Sequence, residues 1–255
     1  QWGHEFRPEY RRLAKLRDDF PGISIHAFTA TATRQVRDDI ANQLALQDPD
    51  VLVGSFDRAN LIYRVLVRTG LKEQIRRVLD RHPGEAGVIY CVSRKEVENL
   101  ANWLDELGHR ALPYHAGLPD KMRRAHQEAF LKERADIMVA TVAFGMGIDR
   151  SNIRYVLHAG APRSLEHYQQ ESGRAGRDGL EAECVLLYSG SDFARWRQML
   201  EQSSELSDTA RRLLRDIERY AGGTRCRHRV LVEYFGQNYK ADACDACDWC
   251  LKELE

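Results

Sequence analysis

Gln170-Glu171-Ser172-Gly173-Arg174-Ala175-Gly176-Arg177-Asp178-Gly179 sets two arginines three apart among three glycines. Phosphoryl transfer needs fixed positive charge on the γ-phosphate oxygens while negative charge redistributes in the transition state. Arginine suits that task because it stays protonated and can grip two oxygens at once. A spacing of three is close to one helical turn, so Arg174 and Arg177 can project from one face. Gly173, Gly176 and Gly179 then let the backbone approach a partner domain closely. A glycine-rich turn with merely solvated arginines is the competing reading, and only context decides between them.

That context is Ala140-Thr141-Val142-Ala143-Phe144-Gly145-Met146-Gly147-Ile148-Asp149, which follows an apolar strand pattern. Ligands of open α/β sheets bind outside the carboxyl ends of strands. Thr141, Gly145, Gly147 and Asp149 there can serve phosphate, ribose and interdomain contacts together. Thr29-Ala30-Thr31-Ala32-Thr33 also follows an apolar run. Hydroxyl-rich loops of this kind can couple a nucleotide site to a neighbouring lobe, and they are equally ordinary helix caps.

The cysteines carry a second chemistry. Cys244, Cys247 and Cys250 are spaced by two residues each, and Cys226 lies upstream. Four thiolates suit tetrahedral Zn2+, and they leave no open position for water, so the ion is structural. It would organise a tail with too little apolar mass to fold alone. His228 sits two residues from Cys226, faces elsewhere on a helix, and reads as a surface or DNA-facing residue. Cys91 and Cys184 lie alone in apolar stretches and read as buried strand thiols.

The elements that must position these groups follow from periodicity. From about residue 56, short apolar runs alternate with helical patterns, the signature of a parallel α/β sheet. Strands are expected at Leu61–Val67, Val88–Cys91, Arg110–Tyr114, Asp136–Ala140, Arg154–Ala159 and Ala182–Tyr188. Ser93 and Glu96 form a capping box. The helix they open carries an apolar stripe of Val97, Leu100, Ala101, Leu104 and Leu107, and Gly108 ends it. A further helix is expected from Ser164. Before this unit, Ile23–Phe28 reads as a buried strand, followed by a helix from Arg34 to Leu44 and a short strand after Asp48-Pro49-Asp50. After residue 190 the strand signal stops, and two helices separated by Gly222-Gly223 lead to the cysteines. Arg211, Arg212, Arg215 and Arg219 form a stripe opposite Leu213, Leu214, Ile217 and Tyr220. That stripe is either a solvated face or, with Arg225 and Arg227, a track for DNA phosphates.

Composition bounds the reading. The 255 residues are 43% hydrophobic and 30% charged, as in globular proteins, and no apolar run suits a membrane span. Thirty-eight basic and 38 acidic residues cancel, so bulk charge argues for no nucleic-acid partner. The chain starts at Gln1 rather than Met and carries no signal-peptide pattern, which suggests a piece of a longer protein.

Several motifs in order resemble the RecQ family of ATP-dependent DNA helicases. Gln1-Trp2-Gly3-His4-Glu5-Phe6-Arg7-Pro8-Glu9-Tyr10 resembles the family's aromatic-rich loop, Thr29–Thr33 its motif III and Val88–Glu96 its motif IV. Tyr114-His115-Ala116-Gly117-Leu118 is similar to a DNA-contacting stretch. Ala140–Asp149 resembles motif V, Gln170–Gly179 motif VI, and the four cysteines the family's zinc-binding subdomain. The resemblance implies a RecA-like parallel sheet lobe at 56–190, flanked by the tail of a preceding RecA-like lobe at 1–55 and a helical zinc-binding subdomain at 191–255. It further implies a 3′-to-5′ helicase of the cytosol acting in recombination and repair, with Arg177 as arginine finger beside Arg174. Thr141, Gly145, Gly147, Asp149 and Gln170 would face ATP and Mg2+. Trp2, His4, Phe6, Arg7, Thr29, Thr31 and His115 would couple DNA to hydrolysis. Expected partners are single-stranded and partly duplex DNA, ATP and a single-stranded DNA-binding protein, with no membrane. No Gly-x-x-x-x-Gly-Lys-[Ser/Thr] and no Asp-Glu-Ala-His box occurs, so the isolated chain is expected to be inactive. The alternative is a non-catalytic module that binds DNA or a partner.

Overall fold

The computed structural model describes residues 13–29, 31–145, 148–202 and 207–253. The expected coupling residues Trp2, His4, Phe6 and Arg7, together with Gly147, lie outside them. In chain order the elements are α1 (Leu16–Asp19), α2 (Arg34–Gln43), β1 (Leu61–Val67), α3 (Leu71–Arg81), β2 (Ala86–Tyr90), α4 (Arg94–Glu106), β3 (Ala111–Tyr114) and α5 (Asp120–Leu131). They continue with β4 (Ile137–Ala140), β5 (Ile153–His158), α6 (Leu165–Ser172), β6 (Ala182–Tyr188), α7 (Gly190–Gln202), α8 (Asp208–Gly222) and α9 (Arg227–Tyr234).

The six strands form one sheet in the order β1-β6-β5-β2-β4-β3, and every pairing is parallel. Parallel sheets need cover on both faces, so their inner strands read as unbroken apolar runs. All of Ala86–Tyr90 and Ile137–Ala140 is buried. Successive residues serve opposite layers. Val88 and Tyr90 pack with Tyr168, Leu214, Ile217 and Tyr220, while Ile89 packs with Ile75, Val97, Leu100 and Leu104. Thus α3 and α4 cover one face, and α6, α8 and α9 cover the other.

Local signals held where neighbours in sequence decide. Ser93 Oγ accepts from the Glu96 amide at 3.2 Å, and Glu96 Oε2 accepts from the Ser93 amide at 2.9 Å. Val97, Leu100, Ala101 and Leu104 are buried, but Leu107, the C-cap, is exposed. Cys184 and Cys91 are buried.

Ile23–Phe28 is not a strand: it pairs with no strand among the described residues, and Phe28 is 94% exposed. An apolar run becomes a buried strand only beside a partner that takes its amides and carbonyls. The same correction applies to 51–53, whose side chains are exposed. Past residue 190 the described residues form three helices rather than two, because α7 precedes the pair divided at Gly222-Gly223. The leucine, isoleucine and tyrosine positions of α8 are buried as its period requires, with Arg211, Arg212, Arg215 and Arg219 exposed.

β1 is the last strand of the sheet, and a bare edge is a template for wrong pairing. The cysteine tail covers it. The Tyr63 amide donates to Ala246 O at 3.1 Å, the Asp248 amide donates to Tyr63 O at 2.9 Å, and Cys247 bridges to Tyr63 in parallel register.

Candidate functional site: an arginine turn and a four-cysteine centre

The arginine segment begins as helix and ends as turn. Ser164 caps α6 by accepting from the His167 amide, and the helix stops at Ser172 with Gly173 as C-cap. Arg174 and Arg177 therefore leave from successive turns, not from one helical face. The glycines serve these turns from within the lobe. Gly176 has φ +56, and a Cβ there would lie 2.5 Å from Asn60 Nδ2 and 2.7 Å from Leu180 O. Only glycine fits that position.

Arg174 is 5% exposed, yet its Nε has no hydrogen-bond partner among the described residues. Its guanidinium passes so close to Gly145 that a Cβ on the glycine would sit 3.1 Å from Nη2. Burial raises the Tyr90 hydroxyl above its ordinary range, and the nearby Arg174 charge opposes that rise. Tyr90 donates to Phe144 O at 2.9 Å, so one phenol ties β2 to the loop after β4. Arg177 Nη1 donates to Ile148 O at 3.2 Å and to Asp149 Oδ1 at 2.9 Å. Asp149 is 86% exposed at the side chain, which leaves that ion pair weak and easily exchanged.

Among the other expected residues, Thr141 follows β4, donates its amide to Tyr114 O at 3.1 Å, and accepts from the Ala143 amide at 3.4 Å. Gln170 is half-buried on α6. Thr29 Oγ1 donates to Thr31 O at 3.5 Å, a local contact, and Thr33 caps α2. His115 is buried; its Nε2 lies 3.1 Å from Glu98 Oε1, and its Nδ1 accepts from the Gly117 amide at 3.2 Å. The structure thus brings Gly145, Asp149, Arg174 and Arg177 together, and holds His115 as a brace between α4 and the loop after β3.

The four cysteine sulfurs lie within 4.8 Å of one another. Tetrahedral zinc with bonds of about 2.3 Å spaces its sulfurs by roughly 3.8 Å, so the cluster fits the ion. Five backbone amides point at the sulfurs: Arg229 to Cys226, Arg227 and Cys250 to Cys247, Ala246 to Cys244, and Cys244 to Cys250, at 3.4 to 3.5 Å. Burial pushes the Cys226 thiol up to about 11 and raises that of Cys244, while the Cys244 amide and neighbouring thiols overcome burial to lower that of Cys250. A positive ion among them reverses the first two effects, because a coordinated thiol is deprotonated.

Two readings near this centre are corrected. His228 is not a surface residue. It is buried, with Nδ1 2.7 Å from Asp57 Oδ1 and Nε2 donating to Leu61 O at 2.9 Å. It does turn away from the sulfurs, but toward the start of β1. Arg227 is not on a DNA-facing surface either. Its Nε and Nη2 fork onto buried Asp248, and Nη1 donates to Tyr220 O and Gly223 O. Asp248 also accepts from the Val65 and Trp249 amides. Arg58, Asn60, Tyr90 and Asp248 were not singled out from the sequence. The most that could have flagged them is a cluster of polar residues directly before β1 and inside the cysteine spacing.

Residues 70–179 match the helicase conserved C-terminal domain, and residues 190–251 match the RecQ zinc-binding family. The ATP-dependent DNA helicase RecQ of Pasteurella multocida is 44% identical over 98% of this chain and 40% of its own length. That of Bacillus subtilis is 43% identical over 98% and 43%, and the RecQ-like DNA helicase blm-1 of Caenorhabditis elegans 37% over 99% and 27%. The chain spans about two fifths or less of these relatives. Among solved structures, the Mycobacterium smegmatis helicase Lhr bound to ssDNA and AMP-PNP superposes with TM-score 0.56 at 22% identity, covering 72% of this chain and 27% of that one; it shares the fold. With two adjoining family matches and this identity along nearly its whole length, the chain belongs to the RecQ helicase family, of which it carries the RecA-like C-terminal lobe and the zinc-binding region.

Proposed function

We propose that this chain supplies the arginine half of an ATP site in a 3′-to-5′ DNA helicase of recombination and repair, working in the cytosol. One observation carries the reading. Among the described residues, Arg174 is buried with an unpartnered Nε, and Arg177 meets a backbone carbonyl and one exposed carboxylate, so two cations stand with little fixed negative charge to neutralise them. A triphosphate with its Mg2+ supplies that charge. Arg177, the more exposed, is free to leave Asp149 for the γ-phosphate, and Arg174 fixes the floor of the site against Gly145. Thr141 follows β4 and Gln170 lies on α6 beside the same loops, and Gly147 is read with them as facing the nucleotide. Residues 1–55 are read as the end of a preceding lobe, whose Trp2, His4, Phe6 and Arg7, with Thr29 and Thr31, couple single-stranded DNA to hydrolysis by stacking and phosphate contact. The Lhr structure, which shares this fold over 27% of its length, is bound to ssDNA and AMP-PNP, in keeping with that pairing of ligands. A single-stranded DNA-binding protein remains an expected partner by family likeness.

Zn2+ at Cys226, Cys244, Cys247 and Cys250 would act as a cross-link that holds the tail against β1. In the full-length protein, Arg177→Ala is expected to lower DNA-stimulated ATP turnover by about 10³-fold or more while AMP-PNP binding persists. Turnover within a few-fold of the unaltered protein rejects the reading. The isolated chain is expected to show no turnover.

A further inference from the structure

The residues that shape the arginine turn lie more than a hundred positions upstream, on the loop that enters β1. Arg58 Nη2 donates to Ala175 O at 3.0 Å and to Gly176 O at 2.8 Å, and its Nη1 reaches Gly173 O at 3.5 Å. Its Nε donates to Asn60 Oδ1 at 3.4 Å. Asn60 Nδ2 donates in turn to Gly176 O at 2.9 Å and Leu180 O at 2.8 Å. Carbonyls at and beyond a helix C-terminus lack the amides of a next turn and carry the negative end of the helix dipole. A planar, always-charged fork is the side chain best matched to three such oxygens. Gly176, the residue both side chains grip, is the one whose φ of +56 redirects the chain between Arg174 and Arg177.

The same loop touches the other centre. Asp57, one residue before Arg58, meets His228, which follows Cys226 by two residues on α9. Phe56 stacks on Phe235 at 4.7 Å, just past the end of that helix. The loop that carries Arg58 is thus in direct contact with the helix that Cys226 caps.

We propose that Arg58, assisted by Asn60, is the positioning residue of the arginine turn, and that the Asp57–His228 contact ties its placement to the four-cysteine centre. The inference deepens the proposed function and rests on Arg174 and Arg177 facing phosphate. Arg58 itself touches no substrate; it acts by fixing where two other side chains point. Misplacing a catalytic group by about 1 Å can cost 10²-fold in rate.

The test uses the full-length protein with Arg58→Gln, Arg58→Lys and His228→Gln, beside Arg177→Ala. Arg58→Gln is expected to lower the kcat of DNA-stimulated ATP hydrolysis about ten- to a hundredfold. Its KM for ATP and its AMP-PNP affinity should stay within about twofold and its zinc content at about one ion per chain. Arg58→Lys, which keeps the charge but not the fork, should fall between the two proteins, and His228→Gln should lose a smaller factor. Amide hydrogen exchange over residues 173–180 should quicken in both Arg58 variants, a readout independent of ATP. Unchanged exchange, or an unchanged kcat where Arg177→Ala abolishes turnover, overturns the positioning role. Loss of zinc with a lowered Tm in both Arg58 variants also overturns it, by making Arg58 a general fold determinant. Quickened exchange with Arg177→Ala fully active would instead remove the phosphate reading and leave the geometric claim standing.

Discussion

The arginine turn and the cysteine centre sit on the same side of the sheet, both anchored through β1 and the loop before it, and they treat buried polar groups in opposite ways. At the cysteine centre the sulfurs and the Arg227 guanidinium are answered by partners. Five amides meet four sulfurs, and the Arg227 fork meets Asp248, whose remaining lone pairs take two further amides. At the arginine turn the backbone is equally well held, by Arg58 and Asn60, but the side chains it carries are not. Arg174 has an unmatched Nε and Arg177 a solvent-washed partner. A cation without a fixed counter-charge marks where an anionic ligand can bind, whereas a closed charge network marks scaffold.

The largest blow to this contrast is removal of the metal. Structural zinc contributes about 10–16 kcal/mol in small zinc domains, and the tail here has little core of its own. Chelation should release about one ion per chain. It should also unfold the segment after α9 and uncover β1, with exposed-edge association as a visible consequence. Elemental analysis and hydrogen exchange of residues 61–67 check this. Full protection of β1 in metal-free protein contradicts the view of the tail as a closed scaffold.

Next in size is the pair of substitutions Arg227→Met and Arg174→Met. The two arginines are similarly buried, so burial alone predicts similar effects. Partnering predicts otherwise. Arg227→Met strands the Asp248 carboxylate with no counter-charge, a loss of about 3–5 kcal/mol. Arg174→Met strands no carboxylate and should shift stability by less than about 1 kcal/mol, in keeping with a residue retained for activity at no gain to the fold. Urea unfolding of both variants measures the difference, and equal losses erase the distinction between the centres.

What could be read from the sequence divides along the same line. The capping box at Ser93, the strands β1 and β6 and the cysteine spacing were legible because each depends on residues a few positions apart. The arginines were legible as chemistry but not as geometry: their turn is set by Arg58 and Asn60 from a distant loop. His228 and Arg227 were misread as surface because helical spacing gives a direction relative to Cys226 and says nothing about what lies there. Asp57 and Asp248 do. Ile23–Phe28 failed for a related reason, since strand pattern without a neighbouring strand leaves its backbone groups unpaired.

The smallest effect comes from a third charged cluster, which tests whether closure rather than charge is what separates scaffold from site. Buried Glu183 on β6 receives Arg64 at 3.0 Å, Arg81 at 2.6 Å and His82 at 2.9 Å. Burial would raise its pKa, but the hydrogen bonds from His82 and Arg81 and the charge of Arg64 win, and hold it at about 2 against an ordinary 4.5. For His82, burial is likewise outweighed by Glu183 and Glu85, and its pKa stands above 6.5. The depressed carboxyl stabilises the fold above about pH 4.5, and that contribution drains away as pH falls toward 2. The raised imidazole stabilises below 6.5, and its contribution is lost as pH climbs through its folded value. Both are complete between those limits, so unfolding midpoints should peak there. Glu183→Gln should flatten both limbs, removing on the order of 2–3 kcal/mol at pH 6 and much less at pH 2. Because this cluster is closed, the same substitution should leave AMP-PNP affinity and ATP turnover of the full-length protein untouched. A change in turnover there would mean that any loss of buried charge in the lobe disturbs the arginines, and that their open state is no mark of a site.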